Sequence, residues 1–173
     1  MLAAIQSLHT SRPGIVLIDG GSGSGKSHLA DAVHAEWPGS QLLRLDNLYP
    51  GWDGLEAASA QLHHSGLEPL ALGLSARWQE WNWNSNAPGA WHSVDAAAPL
   101  LVEGSGALSR ANRALAHLGV WVECAAGVEE RYRRAMARDG ELYAPHWDRW
   151  ARQEAAFAAR EKPIESADLI IPT

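Results

Sequence analysis

At 173 residues, 46% hydrophobic and 20% charged, the chain has the make-up of one globular domain with a sizeable core. A net charge of −6 and a pI near 5.7 leave no general cationic excess for a nucleic-acid or anionic-membrane surface. The single Cys124 rules out an intrachain disulfide and suits a reducing compartment; with no run near the ~20 apolar residues of a membrane span and no long apolar leader, a cytoplasmic protein is expected.

Residues 1 to 12 carry Leu2, Ile5 and Leu8 at helical spacing and lead to a Pro13-Gly14 turn. Gly14 to Asp19, GIVLID, is a short apolar run rich in β-branched residues, the pattern of a buried strand. Next comes GGSGSGKS, Gly20 to Ser27, which fits the phosphate-loop pattern G-x-x-x-x-G-K-S/T, and then a helix with Leu29, Val33 and Trp37 on one face, stopped by Pro38-Gly39. Polyphosphate has to be met by inward-pointing backbone N–H groups, which requires close approach and unusual backbone angles that glycine permits. Gly20, Gly21, Ser22, Gly23, Ser24, Gly25, Lys26, Ser27 and His28 are therefore the candidate nucleotide-binding residues. In that role the helix start adds its dipole, Lys26 a full charge, and Ser27 a hydroxyl for Mg²⁺.

Gln41 to Leu45 reads as a second strand ending on Asp46. In a doubly wound sheet, strand carboxyl ends face the ligand crevice, so Asp46 is expected at the rim that carries the phosphate loop. Leu55, Ala58 and Leu62 keep helical spacing to about Ser65, and a second short helix is expected over Leu67 to Leu72. His63 and His64, adjacent on a helix, are expected to point to different faces. Ser75 to Val94 alternates aromatic with polar residues and suits an irregular hairpin. Its tryptophans are either a packing cover or, with Arg77, a platform for a planar ligand.

Pro99 to Gly104, PLLVEG, is a third buried strand with Glu103 at its rim end, in the manner of a Walker B acid that serves Mg²⁺. Residues 109 to 117 are read as helix and Gly119 to Cys124 as strand. Arg131, Arg134 and Arg138 then fall at i, i+3 and i+7, one face of a helix. That face is either solvated and balanced by neighbouring acids, or a movable lid whose cations match the charge on transferring phosphoryl oxygens. A helix from about Ala144 to Glu161, anchored by Trp147, Trp150 and Phe157, and a last strand in ADLIIPT complete the chain. Strands and helices alternating at this rhythm imply a parallel sheet with helices on both faces, and with the phosphate-loop motif the expected fold class is α/β: a three-layer P-loop NTPase, doubly wound, with a mostly parallel five-stranded sheet.

Taken together, IDGGSGSGKS, LDNLYP at Leu45 to Pro50, VEG at Val102 to Gly104, RYRRAMARD at Arg131 to Asp139 and SADLIIP at Ser166 to Pro172 resemble the uridine kinase family of P-loop kinases, the nucleoside kinase and phosphoribulokinase-like group. The resemblance implies one kinase domain over residues 1–173, with an acceptor-binding insertion at about 47–95 and an arginine lid at about 127–145. It implies Asp46 as the catalytic aspartate that accepts the hydroxyl proton, with Lys26, Arg131, Arg134 and Arg138 on the transferred phosphate, and Mg²⁺ at Ser27, Glu103 and Asp46. Tyr49, Asp53, Arg77, Trp78, Trp81 and Trp83 would hold the acceptor, Asp53 by the ribose hydroxyls. The expected activity is ATP-dependent phosphorylation of a primary hydroxyl on a small molecule, foremost a nucleoside, with no nucleic-acid or membrane partner and homo-oligomerisation left open. Two departures stand out: Leu48 replaces the family's Phe between the aspartate and tyrosine, and SARWQEWNWN replaces its substrate segment. A kinase for a sugar, a pantothenate-like alcohol or an antibiotic, and a non-catalytic ATP-binding regulatory module, therefore remain as alternatives.

Overall fold

The computed structural model describes residues 1–6 and 12–173. A first helix, α1 (Leu2–Gln6), precedes strand β1 (Ile15–Asp19), and the expectation for Leu8 lies outside the described residues. Helix α2 (Lys26–Glu36) follows the glycine loop, then β2 (Gln41–Arg44) and a 3₁₀ turn (Leu45–Asn47). Helix α3 (Leu55–Gln61) runs through a π-helical stretch (Leu62–Leu67) into α4 (Glu68–Ala71). A hairpin of β3 (Ala76–Asn82) and β4 (Ala87–Val94) comes next, followed by β5 (Leu100–Glu103), α5 (Arg110–Leu115) and β6 (Leu118–Glu123). Helices α6 (Gly127–Asp139), α7 (Trp147–Glu161) and α8 (Pro163–Ser166) lead to the closing strand β7 (Leu169–Pro172).

The five strands β2, β5, β1, β6 and β7 form one sheet in that order, with every adjacent pair parallel. Being central and covered on both faces, β1 is buried at all five positions, which is why it reads as a continuous apolar run rather than an alternating one. Two hydrophobic clusters lie on opposite faces of the sheet. Leu17, Leu43 and Val102 pack with α3, the hairpin and α7 on one side, whereas Val16, Ile18 and Leu101 pack under α2 on the other. Each fully buried leucine or valine contributes about 1.5–3 kcal/mol, so the two layers together hold α2, α3 and α7 at fixed angles to the strand ends.

Two local expectations are corrected. No break separates a helix ending near Ser65 from a second one at Leu67; instead the chain widens into a π turn just ahead of Pro69, which has no N–H to give to an α-helical ladder. Within that stretch His63 and His64 do not diverge. Both rings reach Glu68, at 3.4 and 3.1 Å, because the wider turn brings successive side chains round to the same acid.

The hairpin pairs Ala76 with Val94 and Trp78 with His92, and its register shifts between Gln79 and Trp81. Ahead of that shift the alternation is regular, with Ala76 and Trp78 in the core and Arg77 outside; beyond it, Trp83 lines the cleft.

Candidate active site

The strand ends converge on a cleft of about 690 Å³ lined by the phosphate loop, the 3₁₀ turn after β2, the hairpin tip and the segment between α6 and α7. Ser22 and Lys26 enter it from the loop, Asp46 and Tyr49 from the turn, and Arg138 from the end of α6. Two acids line the cleft with Lys26: Asp46, which is exposed, and the half-buried Asp139, which is paired with Arg138.

Two glycines of the loop answer distinct demands. Gly23 has φ +76° and a side chain there would stand 2.1 Å from the Arg131 carbonyl oxygen; Gly25, the residue before α2, has φ +96°. Both backbone angles lie in the left-handed region that glycine enters without steric cost. Lys26 is buried at the start of α2. Ser27 donates its hydroxyl to Glu103 Oε2 at 3.2 Å, and Arg44 donates to Glu103 Oε1 at 3.2 Å. Burial pushes the Glu103 carboxyl above its ordinary range, against the pull of Lys26. His28 is exposed on the first turn of α2.

An acid that sequence reading passed over fixes the loop from below. Asp19 Oδ1 accepts the Gly20 and Gly106 backbone N–H groups at 2.7 and 3.1 Å, and Oδ2 accepts that of Leu108 at 2.8 Å. Complete burial raises its carboxyl to about 6, with the three backbone donors and Lys26 holding the rise in check. The available signal was the one used for Asp46 and Glu103, an acid closing an apolar strand.

Asp46 sits in the 3₁₀ turn, where Trp83 donates its indole N–H to the Asp46 carbonyl at 2.9 Å and so ties the hairpin tip to that turn. Tyr49 is buried, with its hydroxyl donated to the Ser105 carbonyl at 2.8 Å and its ring edge-on to Trp150. Burial and the nearby Asp46, Asp19 and Glu103 keep this phenol well above its usual pKa, so it stays a proton donor.

The predicted lid face is divided three ways. Arg138 reaches the cleft, where it pairs with Asp139 at 2.6 Å. Arg134 is held by Glu130 at 2.8 Å and by the Thr173 hydroxyl at 3.1 Å. Arg131 donates to the Ser22 carbonyl at 3.0 Å and lies over the Trp147 ring.

The acceptor residues inferred from sequence also separate. Tyr49 and Trp83 line the cleft. Trp78 does not: it is 8% exposed, belongs to the core and stacks on His92. Arg77, its neighbour on the strand's opposite face, lies over Trp91. Trp81 is half-buried, with its indole N–H enclosed, and is not part of the cleft wall. Asp53 is exposed and paired with Arg149, again outside the cleft wall. In their place stand Trp52, Tyr143 and His146. Trp52 lies parallel to the other two rings, at 5.4 and 4.2 Å between centroids, and tilted against Trp83 at 5.0 Å. Tyr143 and His146 lie between α6 and α7, in and beside short 3₁₀ turns.

A parallel sheet with a glycine loop between β1 and α2, an acid at the end of β5 and an arginine-bearing helix after β6 defines the three-layer fold of the P-loop kinases. The chain is similar in structure to a possible uridine kinase from Bacillus stearothermophilus, with a TM-score of 0.70 and 16% identity over 98% of this chain and 94% of that one. It is also similar to a candidate fructose transport system kinase from Silicibacter sp. TM1040, with a TM-score of 0.58 and 20% identity over 99% and 98% of the two chains. No family model and no curated protein sequence matches it. Among the described residues, no helix is long and apolar enough to cross a membrane.

Proposed function

We propose that the chain is an ATP-dependent kinase that transfers the γ-phosphate to a hydroxyl of a small-molecule alcohol. The observation that carries this reading is the opening of Lys26 and Asp46 on one cleft. A loop of backbone amides headed by a buried lysine suits a polyphosphate tail. The Asp46 carboxylate, lining the same cleft, orients an acceptor hydroxyl toward the terminal phosphorus and takes its proton, with positioning the larger contribution. Lys26 and Arg138 offset the negative charge of the transferred group.

Ser27 and Glu103, with a hydroxyl and a carboxylate oxygen 3.2 Å apart, form the all-oxygen donor pair that Mg²⁺ prefers, and Asp46 is the third candidate ligand. When bound, the ion would supply charge neutralisation to the phosphate oxygens. Tyr49, Trp83 and Trp52 form an aromatic wall around the acceptor's end of the cleft, with Asn47 and Asn84 as its amide groups.

A nucleoside is the first acceptor to test. A sugar or another polyhydric alcohol is the second reading, favoured by the pairing of Asp53 with Arg149 outside the cleft wall, which leaves the ribose-binding role without its expected acid. The test is ADP release from ATP and Mg²⁺ across a panel of nucleosides, sugars and pantothenate-like alcohols. One compound accelerating release well above the no-acceptor rate supports the kinase. Tight ATP binding with no acceleration by any compound replaces it with a regulatory nucleotide-binding module.

A further inference from the structure

Ser22, in the middle of the phosphate loop, has both ends of its main chain held by one ion pair. Its N–H donates to Glu154 Oε1 at 2.7 Å, and its carbonyl accepts from Arg131 Nη1 at 3.0 Å; Arg131 Nη1 in turn meets Glu154 Oε2 at 3.4 Å. Glu154 comes from α7 and Arg131 from α6, and both side chains are largely enclosed, at 14% and 19% exposure. The same Glu154 oxygen accepts the Ser105 hydroxyl at 3.0 Å and the Trp150 indole N–H at 3.1 Å, so the carboxylate is fixed from four directions.

This arrangement accounts for two glycines at positions the phosphate-loop pattern leaves free. A side chain at Gly21 would stand 2.1 Å from Arg131 Nη1, and one at Gly23 would stand 2.1 Å from the Arg131 carbonyl. The loop therefore makes room for Arg131 as well as for a ligand. Arg131 also offsets the Glu154 charge, which would otherwise repel an incoming polyphosphate at close range.

We propose that Glu154 and Arg131 form a clamp on Ser22 that sets the shape of the phosphate loop and couples it to helices α6 and α7. Both are positioning residues: Glu154 acts on the ligand through the Ser22 peptide, and Arg131 grips the loop rather than the transferred phosphate. The inference rests on the reading of the loop as a nucleotide site, and its tests separate the two.

The direct test is hydrogen exchange of the loop (residues 20–27) without any ligand, which needs no assumption about nucleotide. Glu154→Gln and Arg131→Ala should each speed exchange there several-fold while the unfolding midpoint moves only slightly; unchanged exchange in both folded variants overturns the clamp. The second test is ATP affinity. Each single variant should weaken it by about tenfold, with the double variant no worse than the weaker single, as expected for residues acting as one unit. Gly21→Ala should weaken ATP binding in the native chain and add almost nothing in the Arg131→Ala background, where the obstructing guanidinium is gone. Strictly additive losses, or an equal Gly21→Ala effect in both backgrounds, overturn the proposal. Lys26→Ala serves as the control: if it leaves ATP affinity intact, the nucleotide reading fails, whereas its loss of binding beside unaffected Glu154→Gln and Arg131→Ala removes the clamp alone.

Discussion

The Ser27 hydroxyl, on the first turn of α2, donates to Glu103 at the end of β5 across 3.2 Å, joining the glycine loop to the strand beside it. On the proposed function, this hydroxyl and carboxylate would hold the Mg²⁺ ion. Glu103→Gln should therefore lower turnover by at least ~10² and raise the Mg²⁺ concentration needed for half-maximal rate, since removing the carboxylate charge weakens a hard-cation site. A Mg²⁺ titration of ADP release would check this, and an unchanged half-maximal concentration would count against Glu103.

Asp46 and Lys26 share a cleft yet belong to different strand ends, so their losses should be separable. Asp46→Asn should keep ATP affinity within about threefold and cut turnover by at least ~10², the size of a general base's contribution. Lys26→Ala should instead damage ATP binding itself. Equilibrium nucleotide binding set beside acceptor-dependent turnover distinguishes the two, and a converse pattern would exchange their roles.

The arginines of α6 should not be equivalent. Arg138→Ala, which removes the α6 guanidinium that lines the cleft, should lower turnover by about 10- to 100-fold. Arg134→Ala should change it by less than about threefold, because that guanidinium is engaged by Glu130 and Thr173. Arg133 and Arg134 hold the Glu130 carboxyl down to about 2, so it stays ionised at neutral pH beside the half-buried Arg134. Steady-state rates of the two variants decide the matter; equal losses would show that Arg134 swings into the cleft.

Asp19 links pH to stability. Its carboxyl lies at about 6 in the folded chain against an ordinary 3.8, so the unfolded chain releases this proton first. The folded state is therefore favoured at low pH, and this contribution is lost as pH rises from about 4 through 6, to a total of about 3 kcal/mol. Asp19→Asn, which cannot ionise, should remove that slope, although one backbone N–H would face its amide nitrogen and cost about 1–3 kcal/mol at all pH values. Denaturant unfolding of both proteins at pH 4, 5, 6 and 7 tests this. Parallel pH profiles would contradict the Asp19 assignment.

The legible parts of the molecule were those governed by neighbours in the chain. The apolar run of β1, the glycine loop and the start of α2 follow from residues within about two turns of one another, and the acids in the turn after β2 and at the end of β5 reach the rim because parallel strands all point the same way. The aromatic segment was harder. Composition marks it as a hairpin rich in tryptophan, but which tryptophans face the core depends on how the hairpin docks, and the register shift between Gln79 and Trp81 resets the alternation before Trp83 reaches the cleft. No local pattern encodes that shift. Helical spacing placed Arg131, Arg134 and Arg138 on one face, yet their partners Ser22, Thr173 and Asp139 lie 109, 39 and 1 residues away, so each guanidinium ends in a different environment.

Sequence alone thus determined the class of fold and the order of strand, glycine loop and helix at its centre, because backbone conformation and hydrophobic periodicity are local properties that a short stretch of residues imposes on itself. Tertiary structure decided the rest: that Glu154 and Arg131 close on Ser22, that Asp19 pins the loop to Gly106 and Leu108, and that Trp52, Tyr143 and His146 replace Asp53 and Trp78 at the cleft. Those pairings join side chains from distant segments, and their geometry exists only once the packing of helices on both faces of the sheet has fixed where each segment ends.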